Sequence, residues 1–437
     1  MRVSRLWRRN VYCCHNIRIS VITRKLYKQF LTAFLSLATF IGSTANDTIF
    51  SMRVNTLQVT VDDDFLSTAV ITMGSGQTVS IEFDEMSHDS RRLIYHIDHC
   101  NPDWTTTGEL TESDYLEGFN DNVIDDYENS INTTVPYTHY RFAIPNDRCR
   151  MKLSGNYRIT VFDDDSGERL LEARFRIVDQ KTDLSLNMTT NTDIDVNKSH
   201  QQLSMTLGYR KLNITNPDEE ILTIVTQNER EDNMRFNVRP TMRNAFGMEW
   251  SHNRELIFNG GNEYRKFETL SLSHPTMGIE EISWDGTHYN AFPFKAEPRP
   301  NYVYDEDANG AFFIRNSDNT ENDITCDYLY VNYSLKTAVR EQGNIVIDGK
   351  WTNHSDRNMY VAHYSEEDDS YHIRLLQKQG YYSYQFLQLP SVGGKPSILS
   401  SEGNFHETEN RYQAYVYFKP QGQRYWQLVG YRQLLFR

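Results

Sequence analysis

The stretch "SGNYRITVFDDDSGERLLEARFRIV", residues 154–178, decides the fold. Two runs within it, YRITVF (157–162) and ARFRIV (173–178), alternate between apolar and polar residues, the period of a half-buried strand. DDDSG (163–167) lies between them and supplies turn residues, so the pair reads as a β-hairpin. Outward from this hairpin the pattern recurs at LQVTV (57–61), VSIEF (79–83), RLIYHID (92–98) and HYRFAI (139–144). Six short strands in about 125 residues predict an antiparallel sandwich. The exception is 101–135, a polar segment rich in Asp and Asn, and long ordered loops on sandwiches often carry binding.

Further along, QQLSMTLGY (201–209), ILTIVTQN (221–228) and ELIFNGG (255–261) mark a second β-rich unit. A third follows, with DYLYVNYSL (327–335), NIVIDGKW (344–351), MYVAHY (359–364), SYHIRLL (370–376), GYYSYQFL (380–387), AYVYFK (414–419) and QLVGY (427–431) as its strands. No helix-period segment of useful length appears. The expected fold is therefore all-β, with tandem immunoglobulin-like or early-set β-sandwich domains. The expected boundaries are 46–180, 181–300 and 301–437, after a signal peptide over 1–45.

Composition points the same way. Aromatics make up 13% of the 437 residues, with 27 Tyr, and Tyr and Phe suit half-buried strands. The formal net charge of −14 becomes −22 once the eight Lys and Arg of residues 1–45 are set aside. Such a body repels nucleic acid and anionic lipid. Arg24, Lys25 and Lys28 precede an uncharged, mostly apolar run from Phe30 to Ile41, and "GSTA" then places Ala45 at a cleavage point. That layout predicts export, since the run is too short to span a bilayer comfortably. Cys100, Cys149 and Cys326 follow it, allowing at most one intramolecular disulfide. Cys100 with Cys149 is the favoured pair, and three buried thiols is the alternative.

Reactive-looking clusters are few. "YHIDHC" (95–100) brings together His96, Asp98, His99 and Cys100. On a strand, His96, Asp98 and Cys100 share one face and His99 takes the other. No matching ligand pair follows downstream, so loop capping and burial explain the cluster better than zinc or a metal-dependent hydrolase. "DEDANG" (305–310) starts like a calcium loop, but Asn316 stands where a bidentate Glu is needed, so it reads as a turn. "FHETEN" (405–410) lacks the second His of a zinc-protease motif. No catalytic residues, metal ligands or cofactor site are expected.

Several longer runs say more together. They are "IDHCNPDWTTTGELTESDYLEGFNDNVIDDYENSINTTVPYTHYRFAIPND" (97–147), "SGNYRITVF" (154–162), "NTDIDVNKSHQQ" (191–202), "VTQNERED" (225–232), "IFNGGNEYRKFE" (257–268), "DEDANGAFFIR" (305–315), "LLQKQGYYSYQF" (375–386) and "EGNFHETENRYQAYVYF" (402–418). In this order they resemble the type IX secretion system plug protein family over nearly the whole mature chain. The resemblance implies a soluble periplasmic protein that closes the periplasmic mouth of a giant outer-membrane β-barrel translocon when no substrate shuttle is engaged. It implies no catalysis and no cofactor.

A stopper displaced by a shuttle needs a polar, reversible contact. The candidate partner-binding residues are Trp104, Tyr115, Leu116, Phe119 and Tyr127, apolar anchors among many acids in the 101–135 segment. For Trp104 the alternative is that it folds the loop back onto its own domain. The free protein is expected to be monomeric. A second functional reading is a periplasmic carbohydrate-binding module. "VIDGKW" and the "GYYSYQF" aromatics are similar to the early-set fold of glycogen-binding modules, with Trp351 and Tyr382 as the residues to test.

Overall fold

The computed structural model describes residues 47–337, 340–352, 357–390 and 394–437. The expected signal peptide lies outside them. The hairpin of 154–178 forms as its sequence dictates. Strand Gly155–Asp163 pairs antiparallel with Arg169–Val178, setting Tyr157 opposite Phe175 and Ile159 opposite Ala173. The Tyr157 and Phe175 rings stack at 5.4 Å. At the turn, the Asp163 carboxylate accepts the backbone N–H groups of Asp165 (3.2 Å) and Ser166 (3.0 Å), as Asp does at turns.

Leu93–Cys100 pairs with the other edge of Gly155–Asp163. A second sheet, ordered Val54–Val61, Val79–Glu85, Thr138–Ile144, Asp126–Asn129, faces the first. Between them lies a core that includes Val79, Ile81, Phe83, Tyr95, Ile97, Tyr157 and Ile159, all buried. Alternation is what makes this possible, because every second side chain of each strand turns into the same space.

The second unit is also a sandwich, but its two sheets come from distant parts of the chain. One sheet runs Asp183–Thr189, His200–Gly208, Gly247–Trp250, Met242–Asn244. The other runs Arg230–Phe236, Ile221–Gln227, Asn410–Phe418, Gln427–Phe436. The linear partition at residue 300 is corrected here: AYVYFK and QLVGY belong to the second core, where Tyr412, Ala414, Val416 and Val429 pack with Leu203, Leu207 and Trp250. The third unit is a ten-stranded sheet folded over its own core, with Gly380–Leu389 and Tyr328–Lys336 among its central strands. It in turn takes strands Arg265–Glu268, Ile279–Trp284 and Tyr289–Pro293 from the segment expected to be second. Strand alternation is a local signal and carries no information on which sheet a strand joins, so the partition followed chain order.

The described residues belong to one compact unit. A small cluster of Val178, Leu222, Ile224, Tyr415, Tyr417 and Leu428 joins the first sandwich to the second. Tyr417 Oη accepts from Arg176 Nε (3.2 Å) and donates to Asn156 (2.7 Å). Cys100, Cys149 and Cys326 are free thiols and all buried, which corrects the favoured Cys100–Cys149 pairing. Cys149 instead sits 3.7 Å from the Tyr95 hydroxyl.

Candidate interaction surface

The 101–135 segment is ordered and meets three different fates. Its first part folds back. Trp104 adopts a left-handed backbone (φ 66), and its N–H donates to the Asn101 carbonyl (2.9 Å). Its indole is buried with the Arg176 and Arg174 guanidinium groups over the ring at 4.7 and 5.2 Å, a cation–π arrangement. A single helical turn, Glu112–Tyr115, follows, with Thr111 N–H donating to Asp114 (2.8 Å). It delivers Tyr115 to the core, where its hydroxyl donates to the Ile97 carbonyl (3.1 Å). Leu116 is buried in the same core. Trp104, Tyr115 and Leu116 thus have no surface to offer a partner, and the expectation for these three is corrected. Arg174 and Arg176, which cover Trp104, and Tyr157, whose ring lies 6.3 Å from that of Tyr115, come from strands further along the chain.

The middle part stays outside. Gly118 has φ 103, and a Cβ there would run into the Arg148 carbonyl, so only glycine lets the short ladder of Leu116–Gly118 with Cys149–Met151 close. The next residue, Phe119, is 79% exposed. Tyr127 is 44% exposed on the edge strand Asp126–Asn129. Arg148 ties the two neighbourhoods together. Its carbonyl accepts from Phe119 N–H (3.2 Å), and its guanidinium donates to the Val123 carbonyl (2.8 Å) and to Asp125. Exposed acids, among them Glu117, Asp121, Asp125, Asp126 and Glu128, flank the two residues in the chain.

The last part docks on the third unit. Ile131 N–H donates to the Ile324 carbonyl (2.8 Å), and the N–H groups of Thr134 and Val135 donate to the Asp327 carboxylate (2.7 and 3.2 Å). The Tyr137 hydroxyl donates to the Cys326 carbonyl (2.7 Å). Beside this dock lies a buried hub. Asp84 receives His139 Nδ1–H (2.8 Å) on one oxygen, and Tyr328 O–H (2.7 Å) and Lys378 Nζ (2.7 Å) on the other. Burial alone would raise this carboxyl. Lys378 and His139 outweigh it and hold Asp84 below the usual carboxylate range. Residues 84 and 378 lie nearly 300 positions apart, and no sequence signal joins them.

The reactive-looking residues are accounted for locally. His96 Nδ1 bonds Asp121 (2.7 Å), and hydrogen bonding to Asp98 and Asp121 pushes its pKa up to about 9. His99 turns to the other face, against Thr107 (3.0 Å), and burial drops its pKa to about 4. Burial pushes the Cys100 thiol up to about 12, so at neutral pH it is a thiol and a poor nucleophile or metal ligand. In DEDANG, Asp305 pairs with Lys266 (2.6 Å), whereas Asp307 accepts from the backbone of Asn309 (2.5 Å) and Tyr264. These carboxylates serve a turn and do not converge. Tyr382 is buried with its ring stacked between Phe267 (5.5 Å) and Phe312 (5.7 Å), and Trp351 stacks on Tyr333 (6.2 Å). Tyr382 is thus a core ring, and Trp351 packs half-buried against the same core.

A cavity of about 200 Å³ lies where the three units meet. Its walls include Trp104, Arg176, Arg230, Asp232, Asp348 and Lys350. Arg230 pairs with Asp232 (2.5 Å) and Lys350 with Glu229 (2.6 Å) along its walls.

Residues 54–179, the first sandwich with the whole of this surface, match the Type 9 secretion system plug protein 1st domain. A crystal structure of a hypothetical protein from Parabacteroides merdae aligns at 35% identity with a TM-score of 0.86, covering 90% of this chain and 99% of that one. The chain belongs to the type IX secretion system plug protein family. No curated protein matches it. Dimeric latent PorU from Porphyromonas gingivalis aligns with a TM-score of only 0.15 at 10% identity, covering 88% of this chain and 34% of that one. For this plug-family chain the matched domain contains both exposed rings, Phe119 and Tyr127, and the edge strand beside them. No helix among the described residues is long and apolar enough to cross a membrane, which leaves β-barrels out of account.

Proposed function

We propose that this chain is a non-enzymatic periplasmic plug that closes the periplasmic end of the outer-membrane β-barrel translocon of the type IX secretion system when no shuttle is engaged. The observation that carries the reading is the plug-domain match over 54–179. The physics of the body is compatible with it. A stopper must keep its shape under load, and here three cores are cross-braced into one compact unit by buried polar and apolar contacts. It must also let go. Phe119 and Tyr127 within an acidic rim give a contact of modest apolar area whose charges set orientation and on-rate more than affinity. Strong negative charge keeps the released protein soluble and monomeric.

The experiment is a pull-down of the tagged chain from native membranes, with identification of bound proteins, beside a leak assay on a deletion strain. Recovery of a large outer-membrane barrel and entry of small solutes into the deletion strain are expected. Absence of any barrel partner would remove the proposal.

A further inference from the structure

Close to the Asp84 hub lies a second cluster that the plug reading does not use. Glu82 on strand Val79–Glu85, His139 on strand Thr138–Ile144 and Asp323 in the helical turn Asn322–Thr325 each bring one ligand atom within 4.8 Å of the others. His139 is only 7% exposed. Its Nδ1 is committed to Asp84 (2.8 Å), and Nε2, the ring's other nitrogen, has no hydrogen-bond partner. The nearest oxygen to it on Glu82 is 4.0 Å away, beyond hydrogen-bonding reach. A buried, unsatisfied ring nitrogen is costly unless something fills the gap.

What fits the gap follows from the donors. One imidazole and two carboxylates offer one nitrogen and two oxygens. That set suits a divalent first-row cation, and zinc in particular. Across a tetrahedral zinc with bonds near 2.0 Å, ligand atoms stand about 3.3 Å apart. Closing from 4.8 Å asks for about 1 Å of movement from the ends of two carboxylate side chains. The support behind the histidine is also in place. Metal-bound histidines usually donate their second N–H to a carboxylate, and Asp84 takes that position, itself fixed by Tyr328 and Lys378. The cation already nearby is Arg141, but it is closer to Asp126 (3.3 Å) than to Asp323 (3.9 Å).

We infer that Glu82, His139 and Asp323 form a zinc site that fastens the first sandwich to the third unit. Two ligands come from the matched domain and the third from the helical turn docked against it, so the ion would bridge two bodies that otherwise meet through hydrogen bonds. A fourth, water-filled position would face outward past Asp323, whose side chain is 40% exposed.

The test uses the purified full chain, stripped with a chelator and titrated with zinc chloride by calorimetry. One zinc per chain is expected. Asp323→Asn and Glu82→Gln are each expected to weaken binding at least tenfold, and Asp323→Asn, at a half-exposed position, should fold normally. Zinc should also raise the unfolding midpoint of the wild-type chain by about 2–5 °C and leave that of Asp323→Asn unchanged. A chain that takes up no zinc, or variants that bind it as the wild type does, would overturn the assignment. Both measurements are made on the isolated chain, so neither depends on the translocon.

Discussion

Two regions of this molecule are built from the same materials and end in opposite states. At the junction of the first and third units, Asp84, Tyr137, Tyr328 and Lys378 are packed out of water. At the outer edge of the first sandwich, Phe119 and Tyr127 stand among Asp121, Asp125, Asp126 and Glu128 in water. Both are tyrosine- or phenylalanine-bearing acidic sites. In the first, each carboxylate oxygen has a donor in place and low dielectric makes every contact strong. In the second, Asp121, Asp125 and Asp126 keep exposed ion pairs with His96, Arg148 and Arg141 that water screens, Phe119 stands largely in solvent, and Tyr127 leans on Tyr140 at 5.4 Å. Aromatic residues among acids are therefore no sign of an interface by themselves. What separates brace from binding surface is whether distant residues arrive to cover the group.

The largest expected effect comes from breaking the junction. Lys378→Met leaves Asp84 buried without its counter-ion and should cost about 3–5 kcal/mol, measured by chemical denaturation. Adding Asp84→Asn should recover part of that, since the uncompensated charge is then gone. An undiminished stability in Lys378→Met would mean that the hub is wetter than its geometry says.

A smaller effect is set by pH. His99 has a folded-state pKa near 4 against an ordinary 6.5, because burial disfavours its charged form. Stability from this group is fully present above pH 6.5 and is lost as pH falls towards 4, by about 3 kcal/mol in all. His99→Gln should flatten that limb of the stability–pH curve, whatever it does to the plateau.

Gly118→Ala sharpens the comparison at the exposed edge. The residue needs φ near 103 and has the Arg148 carbonyl where a Cβ would go, so about 1–3 kcal/mol should be lost and Phe119 displaced. The smallest stability effect belongs to Phe119→Ala with Tyr127→Ala, within about 0.5 kcal/mol by thermal melting. The same pair should weaken capture of an outer-membrane barrel at least tenfold. Capture unchanged by the pair would move the interface elsewhere.

Much of the fold was legible because strand alternation is local. YRITVF, ARFRIV, VSIEF and HYRFAI are strands where the sequence places them. The way strands assemble was not, since Ile221 pairs with Phe418 and nothing near either residue says so. The candidate surface was half legible. Phe119 and Tyr127 were singled out by their acidic setting and are exposed. Trp104 looked the same on paper, yet Arg174 and Arg176 on a distant strand hold it inside. Glu82, His139 and Asp323 had no motif at all, because their ligand atoms converge only once two units have docked.

The pairing of Ile221–Gln227 with Asn410–Phe418 also governs the order in which the molecule can be completed. A ribosome or a translocase delivers residue 221 long before residue 410, so the middle body waits, half built, with a bare strand edge. Such an edge invites wrong partners. Assembly would then finish with a late stitch by the last hairpin, and a chain cut short before residue 410 would lose the middle body as a whole, however intact its front remained.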